Sequence, residues 1–183
     1  GLWTGASTAP ELDGALAKVN GVELRLPYQS DPTGRARINA GEMEYTDIHL
    51  SHVAQYVWFG FFGKLDVAVI EVAGILPDGR LIPSTSIGNN KTWLDQADKI
   101  ILEVNGRMPE GLAGMHDIYY GTALPPDRQP IPMTRAEQRI GEPYLRCDPS
   151  KVIAVVETAQ GDRNSKFAEP DAVSNAIAGP ILE

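Results

Sequence analysis

Three runs constrain this chain more than anything else in it: LDVAVIEVAG at 65–74, KIILEVN at 99–105 and KVIAVVET at 151–158. Each is almost continuously apolar. Runs of this kind suit parallel strands covered on both faces. Helical patterning lies between the first two, in NNKTWLDQAD, and ILPDGRLIPS reads as two short strands around a Pro-Asp-Gly turn. Strand, helix and strand at these intervals predict an α/β fold with a mostly parallel open sheet flanked by helices.

The front of the chain repeats the alternation. In GLWTGASTAP, Leu2 and Trp3 read as the last residues of a buried strand, followed by a small, hydroxyl-bearing loop. Leu12, Ala15, Leu16 and Val19 stand at helical spacing, with Pro10 in the first turn. VELRLP is a short strand ended by Pro27; YQSDPTG is a loop and RARINAGE a short helical piece. EMEYTD reads as a strand, and a helix runs from Ser51 to about Phe59. At the far end, EPDAVSNAIAGPILE carries Ala172, Val173, Ala176 and Ile177 at helical spacing after a Pro170-Asp171 start. Both ends read as cuts through secondary elements, so the expectation is a domain truncated at both ends. The Pro- and Gly-rich stretch 106–149 is long for a loop inside a compact domain. It is expected to wrap the sheet edge or to pack on another domain.

A net charge of −8 disfavours a nucleic-acid partner, which calls for a basic patch. It leaves room for an anionic ligand held by a few amides and one Arg. The one cysteine, Cys147, builds neither a disulfide framework nor a zinc knuckle, which points to the cytoplasm. The longest apolar run, VAQYVWFGFFG, carries Gln55 and is too short to span a bilayer, so no membrane is expected.

Several motifs weaken on inspection. SIGNNKT has Asn90, not Gly, before Lys91-Thr92, so it is a turn leading into a helix and not a phosphate loop. His49 and His52 stand three apart near Asp47, which is not the spacing of a zinc helix. No metal is expected, and structural histidines hydrogen-bonded at a strand end are the better reading. Ser7 lacks the second Gly of a nucleophile elbow and has no His nearby in sequence. Ser30 sits in a second hydroxyl-bearing loop after a strand. In open parallel sheets ligands sit outside the carboxyl ends of strands, so these two loops are candidates to converge on a carboxylate or a thioester carbonyl. Arg163, after the run KVIAVVE and beside Asn164 and Lys166, is a candidate phosphate anchor.

TGASTAPELDGALAKVNGV, INAGEMEYTDIHLS, IEVAGILPDGRLIPSTSIGNN, KIILEVN, GMHDIY and PIPMTRAEQRIGEPYL, in this order, resemble the acetyl-CoA hydrolase/transferase family. The opening motif and GDRNSKFAEPD are most similar to its succinyl-CoA:acetate CoA-transferase branch. The resemblance maps 1–183 to part of the N-terminal half of a class I CoA-transferase of two α/β halves. It implies transfer of CoA from an acyl-CoA to a short-chain carboxylate through a glutamyl-CoA thioester. CoA is then a substrate, the partner is the C-terminal half of the same protein, and the whole is a homodimer. The nucleophilic glutamate and most oxyanion donors belong to that other half; Glu71, in VIEVAG, falls in a different motif. By position in the motifs, Gly5 and Ser7 face the acyl or carboxylate pocket, as does Ser30, where close relatives have Thr. Arg163 reaches the CoA phosphates. Two alternatives stand beside this: an acyl-CoA hydrolase, and a non-catalytic α/β binding domain if the chain exists alone.

Overall fold

The structure, a computed structural model, describes residues 1–5, 10–121, 124–162 and 167–182. Two sheets carry the fold. The first has three short parallel strands in the order β1 (Leu2–Trp3), β2 (Leu24–Leu26) and β3 (Glu44–Tyr45), joined by α1 (Asp13–Lys18) and α2 (Pro32–Asn39). α3 (Leu50–Trp58) leads to the second sheet. Its strands are β4 (Val67–Ile75), β5 (Leu81–Pro83), β6 (Lys99–Asn105) and β7 (Val152–Thr158), in the order β5-β4-β6-β7. β4, β6 and β7 are parallel, and β5 folds back antiparallel through the Pro-Asp-Gly turn. α4 (Asn90–Gln96) crosses from β5 to β6, and α5 (Ala172–Leu182) closes the described chain. The α/β class expected from the three runs is what forms, divided between two sheets.

Local chemistry explains most boundaries. α2 begins at Pro32, earlier than the sequence pattern indicates, because the Asp31 carboxylate accepts from the amides of Thr33 and Gly34 at 2.9 and 3.0 Å. α1 begins only at Asp13, three residues past Pro10. α3 begins at Leu50 with His49 as its N-cap, so His49 and His52 stand at a helix start and not at a strand end. Their rings meet edge to face, 5.5 Å apart. Among the described residues, no three potential metal ligands come together.

The main core joins both sheets. Leu26 from β2, Val53 and Val57 from α3, Ile70 and Val72 from β4, and Ile100 and Leu102 from β6 pack with Trp93 and Leu94 of α4. Ala17, Val22 and Met43 form a smaller cluster under α1. Only one face of β4 enters this core. Ala68, Ile70 and Val72 are buried, while Val67 and Val69 stay 42% and 61% exposed, which departs from the expectation of two covered faces. An apolar run records that both faces tolerate burial, but what packs against each face is decided elsewhere in the chain. α5 likewise buries none of its residues.

The 106–149 stretch leaves the sheet and returns along its edge. Leu145 exchanges two backbone hydrogen bonds with Leu81 on β5, at 2.8 and 3.0 Å. Ile118 does the same with Glu142, at 2.8 and 2.9 Å. The Asp117 carboxylate accepts from the amides of Ile140 and Gly141 at 3.0 and 2.7 Å. Gly141 is required at this neck, because a Cβ there would overlap the Ile118 carbonyl.

Candidate binding cleft

The parallel strands set the site. Trp3 and Leu26 are register partners, and the Thr4 amide donates to the Leu26 carbonyl at 3.3 Å. The loops that carry Gly5 and Ser30 therefore leave the same end of neighbouring strands. Gly5 lines a cleft of about 1040 Å³ between the opening segment and the exposed face of β4 and β6. Ser30 is half-buried before α2 and is not among the residues lining that cleft. Ser7 and Arg163 lie outside the described residues. The structure thus places Gly5 at the cleft and does not bring Ser30 to it.

The cleft has an apolar floor, including Trp3, Leu12, Val67 and Val69. Its described charged lining is mostly acidic. Glu11, Asp66, Glu71, Glu103 and Asp162 face one cation, Lys64, which is ion-paired with Asp98. A polyanion such as the phosphate end of CoA needs counter-charge, and these walls do not provide it. Neutral side chains hold three of these carboxylates in place. Glu71 and Glu103 are register partners on β4 and β6. Asn105 Nδ2 donates to Glu71 Oε1 at 2.7 Å, and Thr158 Oγ1 donates to Glu103 Oε1 at 2.9 Å. Thr85 Oγ1 donates to Asp162 Oδ2 at 2.8 Å. Both glutamates are thereby engaged on the sheet by neutral donors.

Asn105, Thr158 and Glu103 escaped the reading of the sequence. The available signal was that each apolar run ends in polar residues: VIE, ILEVN and VVET. Polar residues ending buried parallel strands mark the ligand end of such a sheet.

Comparison with known proteins gives these features a context. A family model described as the acetyl-CoA hydrolase/transferase N-terminal domain matches residues 1–157. The chain is 42% identical to a succinyl-CoA:acetate CoA-transferase of Clostridium kluyveri over 99% of its length, and 39% identical to an acetyl-CoA hydrolase of Yarrowia lipolytica over all of it. It spans 34% and 36% of those two proteins, about a third of each. Among solved structures, RipA of Yersinia pestis superimposes with a TM-score of 0.55 at 15% identity, covering 91% of this chain and 34% of that one, a likeness of fold. The parallel sheets and the match over most of the chain agree, and the chain belongs to the acetyl-CoA hydrolase/transferase family.

Proposed function

We propose that this chain supplies substrate-binding walls to an acyl-CoA:carboxylate CoA-transferase that uses succinyl-CoA or acetyl-CoA with acetate or a similar short acid. The observation that carries the reading is the family match over residues 1–157, with a relative named as a transferase at 42% identity. In the proposed reaction, a glutamate from the other half of the longer protein attacks the thioester carbonyl. CoA thiolate leaves, and an acyl-glutamyl anhydride forms. The thiolate then attacks the glutamyl carbonyl, the donor carboxylate departs, and a glutamyl-CoA thioester remains for the acceptor carboxylate to discharge.

Gly5 and Ser7 are assigned to the acyl or carboxylate pocket, with Ser30 on the neighbouring loop, and Arg163 to the CoA phosphates. These assignments rest on the motif positions of Gly5, Ser7, Ser30 and Arg163; among the described residues the cleft lining is short of positive charge for an anionic ligand. No metal takes part in this reading. The longer protein is proposed to be a cytoplasmic homodimer.

Relatives named as acetyl-CoA hydrolases, at 39% and 36% identity, favour a second reading in which water discharges the glutamyl thioester. The matched relatives are named as enzymes, which does not favour a non-catalytic binding domain. The longer protein, incubated with succinyl-CoA and separately with acetyl-CoA, distinguishes the two reactions. CoA transfer that requires added acetate supports the transferase, and CoA release without any carboxylate supports the hydrolase. No turnover under either condition overturns both.

A further inference from the structure

Asn105 closes β6 and is 1% exposed, yet it is one of the most connected polar side chains in the molecule. Its amide nitrogen donates both hydrogens, to Glu71 Oε1 on β4 and to the Gln160 carbonyl beyond β7, each at 2.7 Å. Its Oδ1 accepts from the Arg107 amide at 3.0 Å and so shapes the turn after β6. A ladder of backbone hydrogen bonds holds parallel strands together along their length, but it ends where the strands end. Here one buried amide adds a tie where the β4–β6 ladder closes, joining Glu71 within β4 to the segment that follows β7. The last register pairs are Val72 with Val104 and Asn105 with Thr158, so the side chain acts where backbone pairing stops.

We propose that Asn105 is a positioning residue for acyl-CoA binding: by holding the Gln160 carbonyl, it fixes the 159–162 segment, which forms the wall of the cleft next to Glu71. This rests on the CoA-transferase reading. Asn105 itself does not touch substrate, because both amide hydrogens and the carbonyl oxygen are already engaged by protein groups. Its influence passes through Gln160, Gly161 and Asp162, all of which line the cleft. Asp162 is held from the other side by Thr85, so the segment has two anchors, one on its backbone and one on a side chain.

The test separates positioning from simple support. Asn105→Asp keeps the size of the side chain but removes both donors and sets a carboxylate against Glu71. In the longer protein it is expected to lower the melting temperature and to raise KM for acyl-CoA roughly tenfold, more than it lowers kcat, since the displaced wall forms or breaks no bond. The double variant Asn105→Asp/Glu71→Gln restores the tie between β4 and β6 with reversed polarity, because the new amide at 71 can donate to the new carboxylate at 105. It cannot restore the tie to the Gln160 carbonyl. The expected result is a recovered melting temperature and a KM that stays raised.

Hydrogen exchange provides a readout that does not depend on turnover: both variants are expected to speed exchange at 159–162, relative to the rest of the sheet. If the double variant recovers melting temperature and KM together, Asn105 is a structural residue only and the proposal is overturned. Unchanged exchange at 159–162 in both variants overturns it as well. Faster exchange there, with no acyl-CoA turnover by the unmutated protein, overturns the transferase reading and with it the acyl-CoA part of the proposal, while the hold on 159–162 stands.

Discussion

Arg25 on β2 and Asp13 at the start of α1 form an ion pair shut off from water: Arg25 Nε donates to Asp13 Oδ1 at 3.0 Å, with side chains 0% and 1% exposed. A second guanidinium nitrogen reaches Asp13 Oδ2 at 3.4 Å, and a third donates to the Leu26 carbonyl. The pair locks α1 onto β2 of the first sheet. Removing one partner leaves a buried charge without compensation, which is strongly unfavourable. Asp13→Ala is expected to destabilise the protein by about 3–5 kcal/mol in urea unfolding. The double change Asp13→Leu/Arg25→Met is expected to lose less than either single change, since no lone charge remains. A loss under 1 kcal/mol for Asp13→Ala, on the order of an exposed pair, would show that water reaches the site.

Gly14 is fixed by its neighbour. A Cβ there would stand 2.8 Å from Asp31 Oδ2, the carboxylate that caps α2. Ala in a helix interior normally gains about 1 kcal/mol over Gly. At this position the methyl pushes the cap aside, and losing such a cap costs about 0.5–2 kcal/mol, to which the clash adds. Gly14→Ala is therefore expected to lower the melting temperature despite the better helix former. A raised melting temperature would mean that α1 and α2 can part without loss.

Cys147 should react slowly. Burial, with the neighbouring Asp148 as the smaller cause, pushes its thiol above the ordinary value of 9.0. The folded chain therefore favours the protonated form. The stability linked to it is complete below the ordinary thiol value and is lost as pH rises through the raised one. Iodoacetamide is expected to alkylate the folded chain more slowly at pH 8 than the urea-unfolded chain, with the rate of the folded chain rising only at higher pH. Equal rates in the two states would show an open, unshifted thiol.

Ser7→Ala in the longer protein should weaken use of the carboxylate substrate. A hydroxyl that donates to a charged group in a dry pocket is worth about 1.5–3 kcal/mol. This corresponds to a loss of roughly tenfold to hundredfold in kcat/KM for the carboxylate. A lowered melting temperature with intact carboxylate kinetics would make Ser7 a loop residue only.

Arg163→Glu should raise KM for acyl-CoA more than it lowers kcat, because the phosphates are remote from the reacting carbon and their contact is mostly uniform binding. An unchanged KM would leave Arg163 as a solvated charge.

The sequence by itself determined the class of the fold and the order of its elements. The runs that became β4, β6 and β7 are almost continuously apolar and rich in Val and Ile, the mark of buried parallel strands, and the helix between β4 and β6 follows from spacing and turn residues. It determined the family as well, because motifs in a fixed order survive without any knowledge of distance. Which faces are covered was decided only in three dimensions. Val69 and Ile70 are equally apolar neighbours, yet Ile70 is buried and Val69 is exposed, because α3 and α4 pack on one side of the sheet. The partners of the buried polar groups were also out of reach. Asn105 and Glu71 are 34 residues apart, Asn105 and Gln160 55 apart, and Arg25 and Asp13 12 apart. Each of these bonds depends on strand order and register, which bring distant residues within 3 Å of one another and which no local pattern of residues encodes.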